Sequence, residues 1–278
     1  MNLMPMIEPM LQVTALQMTF GGLTALDGVS FTANAGAVTA IIGPNGAGKT
    51  TLFNCITGFY QPTAGRVVFR GQDITGAQPH RVARQGIART FQNLALFAGL
   101  SLMENLQVGA YGHGSSGLIE AAVRWPRARR EERAAKEKAN GILEFLGLSG
   151  SANALPSELP YGRQKQVEFG RALMQDARLI LLDEPMAGMS RTEKSTMVEL
   201  IRRVRERFGV SFVVVEHDMP VIMAISDQIV VLDFGRKIAD GTSREVQANE
   251  AVIAAYLGAP PATDDGRPDI PAKAGRHA

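Results

Sequence analysis

The chain contains one cysteine, Cys55, so no internal disulfide is available and the fold must rest on burial and hydrogen bonding. A lone thiol also fits a reducing compartment. Long apolar runs are missing too: stretches such as Leu179–Leu182 and Val213–Val215 are of strand length, well short of the ~18 residues of a membrane span. Residues 1–10 are rich in Met and Pro but lack the basic start and apolar middle of a secretory signal, so none is expected. Excess charge is absent as well. Lys+Arg 29 against Asp+Glu 27 leaves +2, too balanced to argue for nucleic acid as the main partner. These absences leave a cytoplasmic protein as the expectation, one that can still sit on a membrane through a partner. With 45% apolar and 20% charged residues, 278 positions suffice for a substantial core in one or two domains.

What is present is concentrated in Gly43-Pro44-Asn45-Gly46-Ala47-Gly48-Lys49-Thr50-Thr51, which has the spacing G-x-x-x-x-G-K-[ST] of a phosphate-binding loop. Val38–Ile42 before it is apolar and β-branched, as a buried strand requires. Thr51–Ile56 after it carries apolar residues at helical spacing, so the loop joins a strand to a helix N-terminus. Glycines let the backbone turn its N–H groups inward around phosphates, and the helix end adds to the field. Lys49 would reach the β- and γ-phosphates, and the Thr50 hydroxyl would bind Mg²⁺. A Gly-rich turn with an exposed lysine is the bland alternative. A full match in a strand–loop–helix setting outweighs it, and implies a site for a nucleoside triphosphate.

Taken in order, Leu11–Met18 alternates as a strand ahead of a Gly21-Gly22 turn, and Val29–Thr32 reads as a second strand. Phe20, just before that turn, is either an ordinary hairpin aromatic or a ring placed to stack on a base. Arg66–Phe69 is a short strand and Thr90-Phe91-Gln92 a strand end with a polar terminus. Residues 94–159 change character and become helical, with Ser101 and Glu104 spaced as a capping box. Gly112–Gly117 reads as a flexible loop. The run 124–138 holds seven basic and three acidic residues; a solvated helix face explains it better than a lipid-facing surface. Helices are expected over Arg163–Gln175, Thr192–Phe208 and Asn249–Leu257, and strands over Leu179–Leu182, Ser211–Val215, Ile229–Leu232 and Lys237–Ala239. Phe234-Gly235-Arg236 is the expected turn between the last two strands. Residues 259–278 are rich in Pro, Ala, Gly and charge without apolar periodicity, so a disordered tail is expected there.

Strands alternating with helices imply a mainly parallel sheet that binds its ligand at the carboxyl ends of the strands. Three strands end there in polar residues: the phosphate loop, Asp183-Glu184, and the segment containing His217. Asp183 would hold the water shell of Mg²⁺, and Glu184 would orient and polarise an attacking water. An acidic turn at a strand end is the plainer reading of Asp183-Glu184-Pro185, but the loop upstream tells against it. His217 alone would more often be a satisfied histidine. At the end of a neighbouring strand it can contact the γ-phosphate and brace Glu184.

Phe20, Gly43–Thr51, Gln92, Leu159-Pro160-Tyr161-Gly162-Arg163-Gln164, Asp183-Glu184-Pro185 and His217 occur in the order and rough spacing of ATP-binding cassette ATPases. The chain resembles that family over about residues 11–258. Residues 20–31, Tyr161-Gly162, Ala187-Gly188 and Ala255-Tyr256-Leu257-Gly258 look like the ATPase subunits of branched-chain amino acid importers. The resemblance implies an α/β fold of the P-loop type, with a mainly parallel core sheet, a small antiparallel β subdomain and a helical subdomain at about 94–159. It implies ATP and Mg²⁺ as ligands, Phe20 stacking on the base, and Gln92 touching the metal or the water. It also implies a pair of cassettes sandwiching two ATPs, in which Pro160, Tyr161, Gly162, Arg163 and Gln164 face the partner's γ-phosphate. Partners would be a second, non-identical ATPase, two membrane-spanning permease subunits and a periplasmic or extracellular solute-binding protein, with no nucleic acid. The location implied is peripheral, on the cytoplasmic face of a bacterial inner membrane.

The chain departs from the family pattern at several positions. Pro160 replaces the usual hydroxyl, Tyr161 stands where glycine is usual, Arg163 where glutamine is common, and Ser190 where an aspartate is expected. Related ATPases for urea, other amides and lipopolysaccharide export share several of these features and remain alternatives. A soluble cassette ATPase acting on ribosomes or nucleic acid is disfavoured, because the chain has one phosphate loop and no extended heptads.

Overall fold

The computed structural model describes residues 9–90, 94–110 and 125–257. Gln92, the Gly112–Gly117 loop, Arg124 and the tail expected at 259–278 lie outside them. The chain begins with two long antiparallel strands, β1 (Pro9–Phe20) and β2 (Leu23–Asn34). Both run further than their alternation indicates, because their pairing shifts register several times. One such irregularity is Ala15 at φ +46°, whose N–H goes to Ser30 Oγ at 2.7 Å. A bulge breaks the period of two while the pairing continues on either side.

β3 (Val38–Ile42) leads through the loop into α1 (Lys49–Ile56). β4 (Ala64–Phe69) and β5 (Gln72–Asp73) complete an antiparallel sheet of order β2-β1-β4-β5. After α2 (Pro79–Arg84) and β6 (Ile87–Arg89) come two helices, α3 (Leu102–Ala110) and α4 (Trp125–Phe145). The capping box at α3 forms: Glu104 Oε2 accepts from the Ser101 N–H, and Ser101 Oγ from the Glu104 N–H. On α4, Arg133 pairs with Glu137 in solvent, while Lys138 bonds Asp176 and Met174 O, as a solvated helix face against the body would do.

α5 (Tyr161–Leu173), β7 (Leu179–Asp183), α6 (Arg191–Phe208) and β8 (Ser211–Val215) follow. The chain then runs through α7 (Met219–Ile225), β9 (Gln228–Asp233), β10 (Arg236–Gly241), α8 (Ser243–Gln247) and α9 (Glu250–Leu257). The second sheet has the order β10-β9-β3-β8-β7-β6, parallel except for the β10 edge. α5 starts two residues before its expected position. The β9–β10 turn is Phe234-Gly235 alone, with φ +39° and +77°, and Arg236 already belongs to the strand. Positive φ at both turn residues matches the twist of a tight hairpin. The short helices α2, α7 and α8 went unread because five to seven residues cannot show a helical period. Their local signals are Pro at the start of α2 and α7, and a Thr242–Glu245 capping box at α8.

The core sits on both faces of the parallel sheet. Leu179 and Leu181 of β7 pack with α1 and the antiparallel sheet, while Ile180 and Leu182 pack with α3 to α6. This is why β3, β7 and β8 are buried at every position, and mostly apolar, rather than alternating: both of their faces are covered.

Candidate functional site

Register brings the polar strand ends together. Ile41 of β3 and Asp183 of β7 both pair with Val215 of β8, so the three strands end level. The phosphate loop, Glu184 and the Glu216-His217 pair therefore emerge along one carboxyl edge, with β8 between the other two strands.

The loop's shape depends on its glycines. Gly43 has φ +153°, and a Cβ there would sit 2.1 Å from the carbonyl oxygen of Leu232; one at Gly48, φ +99°, would sit 2.6 Å from that of Ala25. Only glycine fits either close approach. The β9–β10 turn closes over the loop, since the Gly235 N–H donates to Ala47 O and the Gly235 carbonyl accepts the Asp27 N–H. Lys49 Nζ donates to the carbonyls of Gly43 and Pro44 at 2.6 and 2.9 Å. Burial pushes its pKa down, and the nearby carboxylates of Glu184 and Asp183 push it back up. Thr50 and Thr51 occupy the first turn of α1, beside N–H groups that have no intrahelical acceptor. Asn45 and Gly46 are exposed at the tip of the loop.

At the end of β7, Asp183 is buried and paired with Arg89 of β6, Nη2 to Oδ2 at 2.7 Å. Arg89 also donates to Asn54 Oδ1 of α1, which ties the acidic strand to the loop helix. Glu184 has φ +46°, an uncommon conformation outside glycine, and its N–H still bonds Val215 O. Strain of this kind recurs at functional sites, and here it turns the chain sharply at the strand end.

His217 is 66% exposed, with Nδ1 3.9 Å from Glu216 Oε2. Glu216 is the residue that the sequence reading gave no role. Its side chain is 1% exposed and accepts the N–H groups of Met186 and His217, fastening the turn after Glu184 to the end of β8. Burial raises its pKa above the usual carboxylate range, and those two N–H bonds partly offset this. An acidic residue directly after an apolar strand was the available signal.

Phe20 is 42% exposed and meets Tyr60 edge-on at 5.2 Å. Pro160 is the N-cap of α5, with no side-chain cap. Tyr161 is exposed and lies against Gly188, while Arg163 turns inward to Leu146 O and Gln166 Oε1. Gln164 donates to Leu159 O, and the Gly162 N–H donates to Glu193 Oε1 at 3.0 Å. Glu193, like Arg89 and Tyr60, was not singled out from the sequence, although Ser190-x-x-Glu193 is a readable capping box. Ser190, where an aspartate was expected, is the N-cap of α6.

The donors fit Mg²⁺ held mostly by phosphate and water. Thr50 and Asp183 offer oxygen alone, and among the described residues no group of three or more His, Cys, Asp or Glu side chains could hold a metal unaided. Mg²⁺ takes one or two protein oxygens together with substrate phosphates, which is the set available here.

A glycine loop between a buried strand and a helix, with acidic strand ends beside it, defines a P-loop nucleoside triphosphatase. Within that class the chain belongs to the ATP-binding cassette transporter family: the model of the ABC transporter domain matches residues 26–187. It is an ATP-binding, ATP-hydrolysing subunit of that family. A second model, for the branched-chain amino acid ATP-binding cassette transporter, matches residues 236–262. The chain is 43% identical to the high-affinity branched-chain amino acid transport ATP-binding protein BraF of Pseudomonas aeruginosa, over 91% of this chain and 99% of that protein. It is 40% identical to LivG of Escherichia coli, named for the same role, over the same shares. Among solved structures, an ABC transporter cassette in its ADP conformation superposes with a TM-score of 0.79 at 36% identity, covering 90% of this chain and 99% of that one.

Proposed function

We propose that the chain is the energy-coupling ATPase of an importer for branched-chain or related hydrophobic amino acids, bound to the cytoplasmic face of the membrane through its permease. The observation that carries the catalytic part is the shared edge, where Lys49, Glu184 and His217 follow strands of matching register. The substrate reading is supported by the relatives named for branched-chain amino acids and by the match at residues 236–262.

In this reading ATP lies on the loop, with Phe20 beside the base and Lys49 on the β- and γ-phosphates. Bound Mg²⁺ would supply charge neutralisation at those phosphates, held by Thr50, by Asp183 through water, and by Gln92, which would touch the metal or the attacking water. Glu184 accepts a proton from the attacking water, and His217 braces the γ-phosphate side. Pro160 to Gln164 face the nucleotide of a second, non-identical ATPase. Two permease subunits and a solute-binding protein complete the assembly.

Replacing Glu184 by Gln should abolish turnover in the assembled transporter while leaving ATP binding intact, because the amide keeps the shape but not the basicity. Turnover near that of the parent would remove Glu184 from this role. Lys49→Ala should instead weaken ATP binding itself, since a charge-assisted bond to phosphate is lost; unchanged affinity in a titration would count against the loop. The substrate is tested by uptake of labelled leucine in cells lacking the chain. Unchanged uptake would refute the amino acid assignment.

A further inference from the structure

The N–H of Gly162, in the segment read above as facing a partner's γ-phosphate, already has an anionic partner in the chain itself. It donates to Glu193 Oε1 at 3.0 Å. The other oxygen of that carboxylate accepts the Ser190 N–H at 2.9 Å and the Ser190 hydroxyl at 2.8 Å. Ser190 Oγ in turn accepts the Glu193 N–H. A single carboxylate therefore caps α6 and reaches across to the first turn of α5. The fit is close, since a Cβ at position 162 would fall 2.6 Å from the same oxygen. Bonds from the Ser190 hydroxyl and N–H, and then from Gly162, hold the pKa of Glu193 below the ordinary glutamate range, so it is charged at neutral pH.

We propose that Glu193 is an electrostatic gate on the trans phosphate contact: its carboxylate occupies the Gly162 N–H and opposes the arrival of a second subunit's γ-phosphate at the start of α5. The inference rests on the sandwich reading given above. A helix N-terminus attracts anions through its unsatisfied N–H groups and partial positive charge. Glu193 takes one of those N–H groups and neutralises part of that charge. Pro160 brings no side-chain donor, so the Gly162 N–H is a large share of what this segment can offer. Opening the gate costs little structure, because both bonds to Ser190 can persist when Gly162 is released. Glu193 acts through the Gly162 N–H and is in that sense a positioning residue.

The test uses the full chain carrying Glu184→Gln, alone and combined with Glu193→Gln, sized by light scattering with Mg-ATP over a range of concentrations. Glutamine keeps one acceptor oxygen for the capping box and puts an amide NH2 where the other oxygen stood, so the change removes both the charge and the acceptor of the Gly162 N–H. The double variant should keep its Tm without nucleotide and its ATP affinity as a monomer. It should self-associate roughly two- to fivefold more tightly per nucleotide site, the range for one charge at a helix end. A purely structural Glu193 predicts the opposite sign. Equal or weaker association, with the Glu184→Gln parent associating, overturns the gate and leaves the sandwich reading standing. If neither variant associates at any concentration, removing the charge has gained nothing and the gate is overturned, while the sandwich with a non-identical ATPase stands. Glu199→Gln, at an exposed position further along α6, is the control. An equal gain there would mean a general charge effect and would also overturn the proposal.

Discussion

Asp183 enters the site as half of an ion pair. Its partner Arg89 stands on the neighbouring strand, and both side chains are 9% exposed. Arg89 also bonds Asn54 and lies over the Phe53 ring at 5.6 Å, so one guanidinium links β6, β7 and α1. Removing it would leave a carboxylate buried without its countercharge. Arg89→Ala should therefore destabilise the chain by about 3–5 kcal/mol, read as a lower urea midpoint. Adding Asp183→Asn should recover part of the loss, because a neutral amide costs less to bury than an unpaired charge. A midpoint unchanged by Arg89→Ala would show that solvent or another group replaces the pair. Glu216 belongs to the same scale: one buried carboxylate fixes the turn that follows Glu184.

Among the elements, α6 follows the acidic strand and touches the start of α5 through Glu193. Its N-cap Ser190 stands where the family resemblance leads one to expect aspartate, and the structure shows a complete capping box around it. The hydroxyl accepts the Glu193 N–H, and both Ser190 donors hold the Glu193 carboxylate in place. Ser190→Ala removes the cap acceptor and should cost about 1 kcal/mol in a denaturant titration. An undiminished stability would mean that another group caps α6 in solution. The helix ends on Gly209 at φ +61°, a left-handed residue that closes its last turn. Both boundaries are therefore set by local chemistry, and its buried stripe of Met197, Leu200, Ile201 and Val204 sets which way it faces.

For the whole molecule, the features intact in one chain and those offered to a second differ. The phosphate loop, Asp183-Glu184 and His217 match the family pattern, whereas Pro160 and Ser190 depart from it at positions that the proposed sandwich would present to a second copy. A lost charge-assisted hydrogen bond costs roughly 1.5–3 kcal/mol, enough to weaken a self-dimer without forbidding it. With Mg-ATP, the Glu184→Gln chain should then self-associate only weakly and pair more tightly with a second, non-identical ATPase. A tight self-dimer at low concentration, found by light scattering, would remove the reason for proposing a different partner.

Local sequence carried the phosphate loop, the buried strands on either side of it and the acidic strand end, because each depends on neighbours along the chain. Glycines at fixed spacing, an unbroken β-branched run, and Ser or Thr three residues before Glu are legible wherever they occur. The long β1 and β2 were only half legible, since bulges at positions such as Ala15 interrupt the alternation that marks a strand. Tertiary structure alone decided which groups meet. Strand order placed β8 between β3 and β7, and register brought Ile41, Val215 and Asp183 level. Arg89 and Asp183 are 94 positions apart, and Gly162 and Glu193 are 31 apart. No local pattern encodes such pairs. They form because packing helices against both faces of one sheet brings segments distant along the chain into contact.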